Sequence, residues 1–319
     1  MNPNRLTPLS AAGARLAGAA LSLAVGVAFA PAALAAGNAP AAAGSGPAVS
    51  TPAAPVLPKL SAQQLVEKNI AARGGLAAWK AVQSISYSGT LDAGKTRPDN
   101  GLNPGSRERL LEKPGKSTKI AQSPEEKRLK VDEGTPISLP YTLYMQRPNK
   151  QRIEVKFKDE TLVQVYDGKS GWKLQPYLRR GGALPFSEEE MKKAKQFQDI
   201  DGPLVDYAAK GTKIALDGTD LVDGRPAYRL KLTLKSGDVR RVWVDGQTFL
   251  DVQIDGTRRL NGHPVAEYTA MRDFRDVSGI KVPYVMETRT EGLPDREKIV
   301  VEKVALNPKL DNALFGKPN

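Results

Sequence analysis

The sequence has no cysteine and a single histidine, His263, in 319 residues. Without cysteine there can be no disulfide and no thiol nucleophile, and one histidine leaves almost nothing for a transition-metal site. His263 falls between Asn261-Gly262 and Pro264, a turn-forming context where a histidine is ordinarily a surface residue and not a general base. No glycine loop cradles a phosphate, because Arg179-Arg180-Gly181-Gly182 is basic but lacks the P-loop pattern. Asp217, Asp220 and Asp223 do not have the spacing of an EF-hand loop. The acidic run Glu188 to Glu190 is explained by the positive end of a helix. No catalytic residue, metal ligand or cofactor is therefore expected, and the chain does not read as an enzyme.

Charge is absent from the first residues except at Arg5 and Arg15, and Leu16 to Ala36 is an uncharged run rich in Ala, Leu and Val. Ala33-Leu34-Ala35 has the small residues of a cleavage site, so residues 1–35 read as a signal peptide. The other reading is an uncleaved anchor; the run is long enough, but its Ala, Gly and Pro31 weaken its apolarity. Residues 36–58 are Ala-, Pro- and Gly-rich without charge and read as a disordered tether. Residues 59–319 are expected to form one domain. The formal net charge is +12, and two of those charges leave with the leader. In an exported chain this balance suits an anionic membrane surface or acidic headgroup. The alternative is that Lys and Arg simply line the wet faces of strands. No nucleic-acid partner is expected, since no basic run is interleaved with aromatics.

From Ala227 to Val304 the chain alternates apolar and polar residues. Tyr228, Leu230, Leu232 and Leu234 alternate with Arg229, Lys231, Thr233 and Lys235. Leu250, Val252 and Ile254 repeat the pattern, as do Val282, Tyr284 and Met286. Such alternation means a sheet with one apolar face, and the short turns at Ser236 to Asp238, Asp245-Gly246, Asn261-Gly262 and Ser278-Gly279 make neighbours antiparallel. The apolar face must be covered by helices, by another sheet or by a ligand.

Upstream, Ser61 and Gln64 form a capping box for a helix carrying Leu65 and Ile70 on one face, which Gly74-Gly75 interrupts before a second helix to Val82. Strands are expected at Ser84 to Leu91, Pro140 to Met145, Arg152 to Phe157, Leu162 to Tyr166 and Gly171 to Pro176. Residues 92–136 are a polar insertion, with a strand at Arg107 to Glu112 and an ambiguous stretch at Glu125 to Asp132. Ser187 and Glu190 box a third helix, with Met191, Ala194 and Phe197 on one face. Pro203 opens a short fourth helix that Gly211 closes. Helix, strands, helices, strands is an α+β order.

Several segments resemble the periplasmic lipoprotein-carrier superfamily, in particular its outer-membrane lipoprotein-sorting members. They are Gly74 to Leu91, the Asp-Gly hairpin followed by Trp in Val165 to Leu174, Asp201 to Gly211, Val242 to Ile254, the Gly-x-x-x-Pro step within Asp273 to Thr288, and the tail with Asn307, Asp311, Phe315 and Pro318. The resemblance runs from Lys59 to Asn319. It implies an unclosed antiparallel β-barrel, a curved meander whose concave face is covered by helices and holds acyl chains. It also implies a periplasmic location.

The candidates for a ligand cavity are then Trp172, Tyr228, Leu230, Leu232, Leu234, Leu250, Val252, Ile254, Tyr284 and Met286. Trp79, Trp172 and Trp243 are open to two readings, packing or cavity wall, and Val242 and Val244 face opposite to Trp243. The partner is expected to be an acyl chain or a lipidated protein. The other reading is an envelope sensor or structural protein that contacts another protein without moving lipid. Intact-mass measurement of the exported protein should give a chain beginning at Ala36; a membrane-held species that keeps Met1 to Ala35 would show an anchor instead.

Overall fold

The computed structural model describes residues 57–95, 136–176, 182–196, 199–260, 263–294 and 296–319. The leader, most of the tether, residues 96–135 of the insertion with the expected strand at Arg107 to Glu112, Phe197 and the turn Asn261-Gly262 lie outside the described residues.

Among the described residues, thirteen strands make one antiparallel sheet: β1 Ser84–Lys95, β2 Pro136–Gln146, β3 Lys150–Phe157, β4 Glu160–Tyr166, β5 Gly171–Leu174, β6 Leu184–Pro185, β7 Lys213–Val222, β8 Arg225–Thr233, β9 Val239–Asp245, β10 Asp251–Leu260, β11 His263–Val277, β12 Ile280–Thr290 and β13 Arg296–Leu306. Their order is β6-β5-β4-β3-β2-β1-β13-β12-β11-β10-β9-β8-β7, so the barrel is unclosed, with β6 and β7 as its edges. Every neighbour pair but one is consecutive in sequence. The exception joins β1 to β13, Ile85 opposite Leu306 and Leu91 opposite Ile299.

Register gathers the apolar side chains on the inner face. One row runs Met271, Met286, Ile299, Leu91, Leu139 across five adjacent strands. A second runs Leu230, Val242, Ile254 across β8, β9 and β10. The expected alternation through Leu250, Val252 and Ile254 does not hold. The β9–β10 pairing shifts between Asp251 and Gln253, placing Asp251 opposite Val244 while Ile254 stays opposite Val242. One extra residue reverses the faces, so Asp251 points inward and Val252 packs outside with Val222, Ala227 and Trp243. A bulge of this kind cannot be told from alternation in a single sequence.

Two helices cover part of the inner face. The Ser61 hydroxyl accepts from the Gln64 amide at 3.1 Å, and the Gln64 side chain accepts from the Ser61 amide at 2.9 Å. That capping box starts α1, Ala62–Ala72. Leu65 and Val66 pack into a core with Tyr228, Leu230, Leu232 and Val244, each buried side chain contributing about 2 kcal/mol. Leu57 joins this core and the Pro58 carbonyl accepts from the Tyr228 hydroxyl at 2.7 Å, so the end of the expected tether is docked. α2, Leu76–Ala81, places Trp79 in a second core with Ile85, Val282 and Tyr284. The corner between the helices rests on the β11–β12 hairpin, where the Lys281 amide donates to the Arg73 carbonyl at 3.1 Å. Gly74 permits that approach: at φ +112, a Cβ there would sit 2.1 Å from the Gly279 carbonyl oxygen.

The two sheet edges are joined by residues 186–212. α3, Glu188–Gln196, opens with a box in which Ser187 donates its amide to Glu190 at 2.7 Å and accepts from the Glu190 amide at 3.3 Å. Lys173 on β5 pairs with Glu190 at 2.6 Å, and Lys192 pairs with Asp238 beside β9 at 3.3 Å, so α3 is tied toward both ends of the sheet. The expected helix from Pro203 to Gly211 is instead a run of turns. Asp206 at φ 50 stops regular helix from propagating. These turns drop Ile200 and Val205 into one core and Leu204 into the other. Asp201 pins them, accepting from Arg147 at 2.7 Å and from Lys210 at 2.8 Å. Burial pushes the Asp201 carboxyl up, but the hydrogen bonds and charges of Lys210 and Arg147 outweigh it and hold the group below its ordinary 3.8.

On the outer face, basic residues stand among carboxylates: Arg229 with Asp217 and Asp220, Arg241 with Asp217 and Asp255, Arg272 with Asp223 and Glu287.

Gly74→Ala is expected to destabilise the fold by roughly 3 kcal/mol, because strain and a backbone clash coincide; denaturant titration checks it. For Asp201 the depressed pKa means its stabilisation is fully present above 3.8 and disappears as pH falls through the lower folded value. Asp201→Asn should be less stable than the parent at neutral pH and lose less on acidification through that window. Parallel stability-against-pH curves for the two proteins would contradict this.

Candidate ligand cavity

The inner face is not filled. Side chains from eight strands, β1 to β3 and β9 to β13, line one cavity of about 190 Å³, so the sheet curls around it. Tyr87, Tyr141, Leu143 and Met145 line it from β1 and β2, and Val242, Ile254, Met271, Met286 and Ile299 from β9 to β13. The connection between the sheet edges adds Asp199, Ile200, Gly202 and Pro203 to its lining.

Of the residues singled out from the sequence, Leu234, Ile254 and Met286 line this cavity. Tyr228, Leu230 and Leu232 lie in the packed core beneath α1. Tyr284 is in the core around Trp79, beneath the Arg275 guanidinium at 4.3 Å. Trp172 packs on the other side of the sheet with Val163, Val165 and Phe315 under the C-terminal tail. It takes that face because it pairs with Val165 and not with an inward residue. Val252 is outside for the reason given above, and Leu250 precedes β10 in the turn whose carbonyl accepts from the Asp245 amide at 2.9 Å. Trp243 faces outward, packing edge-on against Tyr268 and donating to Asp220 at 2.8 Å, while Val242 and Val244 face inward. His263 is exposed at the start of β11. Among the described residues no three His, Cys, Asp or Glu side chains come together as a metal site.

What the sequence reading did not single out is the cavity's polar wall. Leu65, Asn69 and Arg73 recur every four residues along one line of α1 and its C-cap, so Asn69 and Arg73 continue the buried stripe that Leu65 begins. Arg73 lies over the Trp79 ring at 4.4 Å, donates to the Asp201 carbonyl at 2.9 Å and pairs with Asp251 at 3.5 Å. Asn69 donates to the Phe249 carbonyl at 2.8 Å and to Asp251 at 3.3 Å. Arg240 also lines the cavity and is 2 % exposed. Burial pushes its guanidinium down to about 9, against the upward pull of Asp255, Asp238 and Glu267; it is charged at neutral pH. Its inward position follows from period-two parity with Val242 and Val244. The arrangement offers apolar walls, two guanidinium groups, two carboxylates and hydrogen-bonding side chains.

No protein-family model matches the sequence, and no curated protein matches it. Among solved structures, a LolA superfamily protein from Nitrosomonas europaea aligns with 81% of this chain and 99% of its own length, at 11% identity and a TM-score of 0.48. A DUF1329 family protein from Desulfovibrio piger aligns over 80% and 97%, at 12% identity and 0.46. A putative outer membrane lipoprotein-sorting protein domain from Vibrio parahaemolyticus aligns over 79% and 94%, at 9% identity and 0.44. At such identities and scores these alignments say nothing of what this chain binds. The chain is similar to LolA-superfamily and lipoprotein-sorting structures.

Proposed function

We propose that this chain is an exported, periplasmic binding protein whose cavity takes an acyl chain, free or carried by a lipidated protein, and that it serves lipid or lipoprotein traffic toward the outer membrane. The observation that supports it is open space within an inner face lined by Leu143, Ile254, Met271, Met286 and Ile299. A folded protein ordinarily fills such a face with its own side chains, and an apolar ligand removes that surface from water at about 25 cal/mol per Å². The net positive charge suits approach to an anionic membrane surface. The reading is of binding and not catalysis.

Protein purified without detergent and extracted with organic solvent should release a lipid detectable by mass spectrometry. The delipidated protein should bind the neutral fluorophore N-phenyl-1-naphthylamine. Met286 is partly exposed and lines the cavity, whereas Leu232 is fully buried, so a charge at Met286 disturbs packing less than one at Leu232 would. Met286→Glu is expected to weaken fluorophore binding by about tenfold or more, with an unchanged circular dichroism spectrum. A protein that releases no lipid and binds no fluorophore would instead be one that uses this fold to contact another protein.

A further inference from the structure

Two phenols and an amide share one wall of the cavity. Tyr87 on β1 stands opposite Leu143, and Tyr141 on β2 stands opposite Gly89, so the two tyrosines are diagonal neighbours on the same face. Gln151 on β3, opposite Met145, continues that wall. All three line the cavity. Tyr141 and Gln151 are 2 % and 7 % exposed. Among the described residues, the side-chain polar atoms of these three bond to no other protein group and are not fully buried, so they open onto the cavity. A ligand that fills the cavity takes water away from these groups, and a polar group left buried without a partner is costly. Burial pushes the Tyr87 phenol up to about 12, with Arg73 pulling the other way, and raises that of Tyr141 above its ordinary 10.0. Both are therefore protonated donors at any physiological pH.

A hydrocarbon tail would leave these donors unmet. A carbonyl oxygen has two lone pairs and can accept from two hydroxyls at once. The charged groups on the cavity wall, Arg73 and Arg240 against Asp199 and Asp251, balance in number, so the wall favours a neutral acceptor over an ionised head. We propose that Tyr87 and Tyr141, with Gln151 beside them, bind the carbonyl of an acyl ester, so that the cavity selects O-acyl lipids over ether lipids of the same length. This rests on the acyl-chain reading above and names the ligand group within it.

The test pairs 1-monolauroylglycerol with 1-O-dodecylglycerol, which share head and chain length and differ in the carbonyl. Each displaces N-phenyl-1-naphthylamine from the delipidated full-length mature protein. The parent is expected to bind the ester about tenfold more tightly. In the Tyr87→Phe/Tyr141→Phe double variant the two lipids should bind equally, at the parent's ether affinity, because the rings that shape the wall are kept. Each single substitution should remove part of the preference, so the outcome does not hang on the double variant folding. Equal binding of ester and ether to the parent, or a preference that survives both substitutions, would overturn the proposal. Failure of the parent to bind either lipid or the fluorophore would overturn the acyl-chain reading itself.

Discussion

β1 hydrogen-bonds to β13 from Ile85 to Asp92, so the first described strand lies beside the last. Every other contact in the sheet is between sequence neighbours and could form in a fragment. This one pairing fuses a six-strand meander to a seven-strand meander and sets the row from Met271 to Leu139 in register across the seam. It also sends β6 and β7 to opposite edges, so the segment between them has to bridge the opening. The cavity is what that topology encloses: sheet on the outside, a pinned connection across the mouth, and α1 and α2 over the remainder of the inner face.

The polar residues inside are organised by the same scaffold. Asn69 and Arg73 come from α1, Asp251 from the start of β10, and the Asp201 carbonyl from the connection. A buried arginine bonded to three separate elements is not a source of large net stability, because desolvation offsets most of the attraction. It does specify geometry, since moving any one element would leave a charge without its partners. The cavity's shape is thus held by polar contacts and its lining by apolar ones. On the outside, the arginines of β8, β9 and β11 stand among aspartates and glutamates, so part of the basic surplus sits on wet strand faces.

The elements governed by local rules were legible in the sequence. Ser61 with Gln64 and Ser187 with Glu190 announce their helices, Ser278-Gly279 announces a hairpin, and the alternation of Tyr228, Leu230 and Leu232 announces an inward face. Antiparallel strands with one apolar face followed from such signals, whereas the unclosed barrel was implied only by the resemblance to the lipoprotein-carrier superfamily. What was not legible depends on a single residue's offset or on distant packing. The bulge at Val252 reverses one strand's faces, and the positive φ of Asp206 turns an expected helix into turns. Trp172 faces the C-terminal tail and not the cavity, which nothing within its own strand reveals. Which part of the inner face is packed and which is open depends on where α1 lands, so Leu232 and Met286 carry the same pattern and end in different surroundings. Arg240 could have been found from parity alone, since it shares a face with Val242 and Val244.

The seam between β1 and β13 also has a consequence in time. β1 ends at Lys95 and β13 begins at Arg296, so the loop that their pairing closes contains every other strand of the sheet. Closing a loop of that length is slow compared with forming the hairpins on either side. Each meander can therefore assemble first, presenting an unpaired edge that could capture another chain. The final step joins two preformed sheets. The pairing of β13 with β1, and not the collapse of either meander, therefore decides when the cavity first exists.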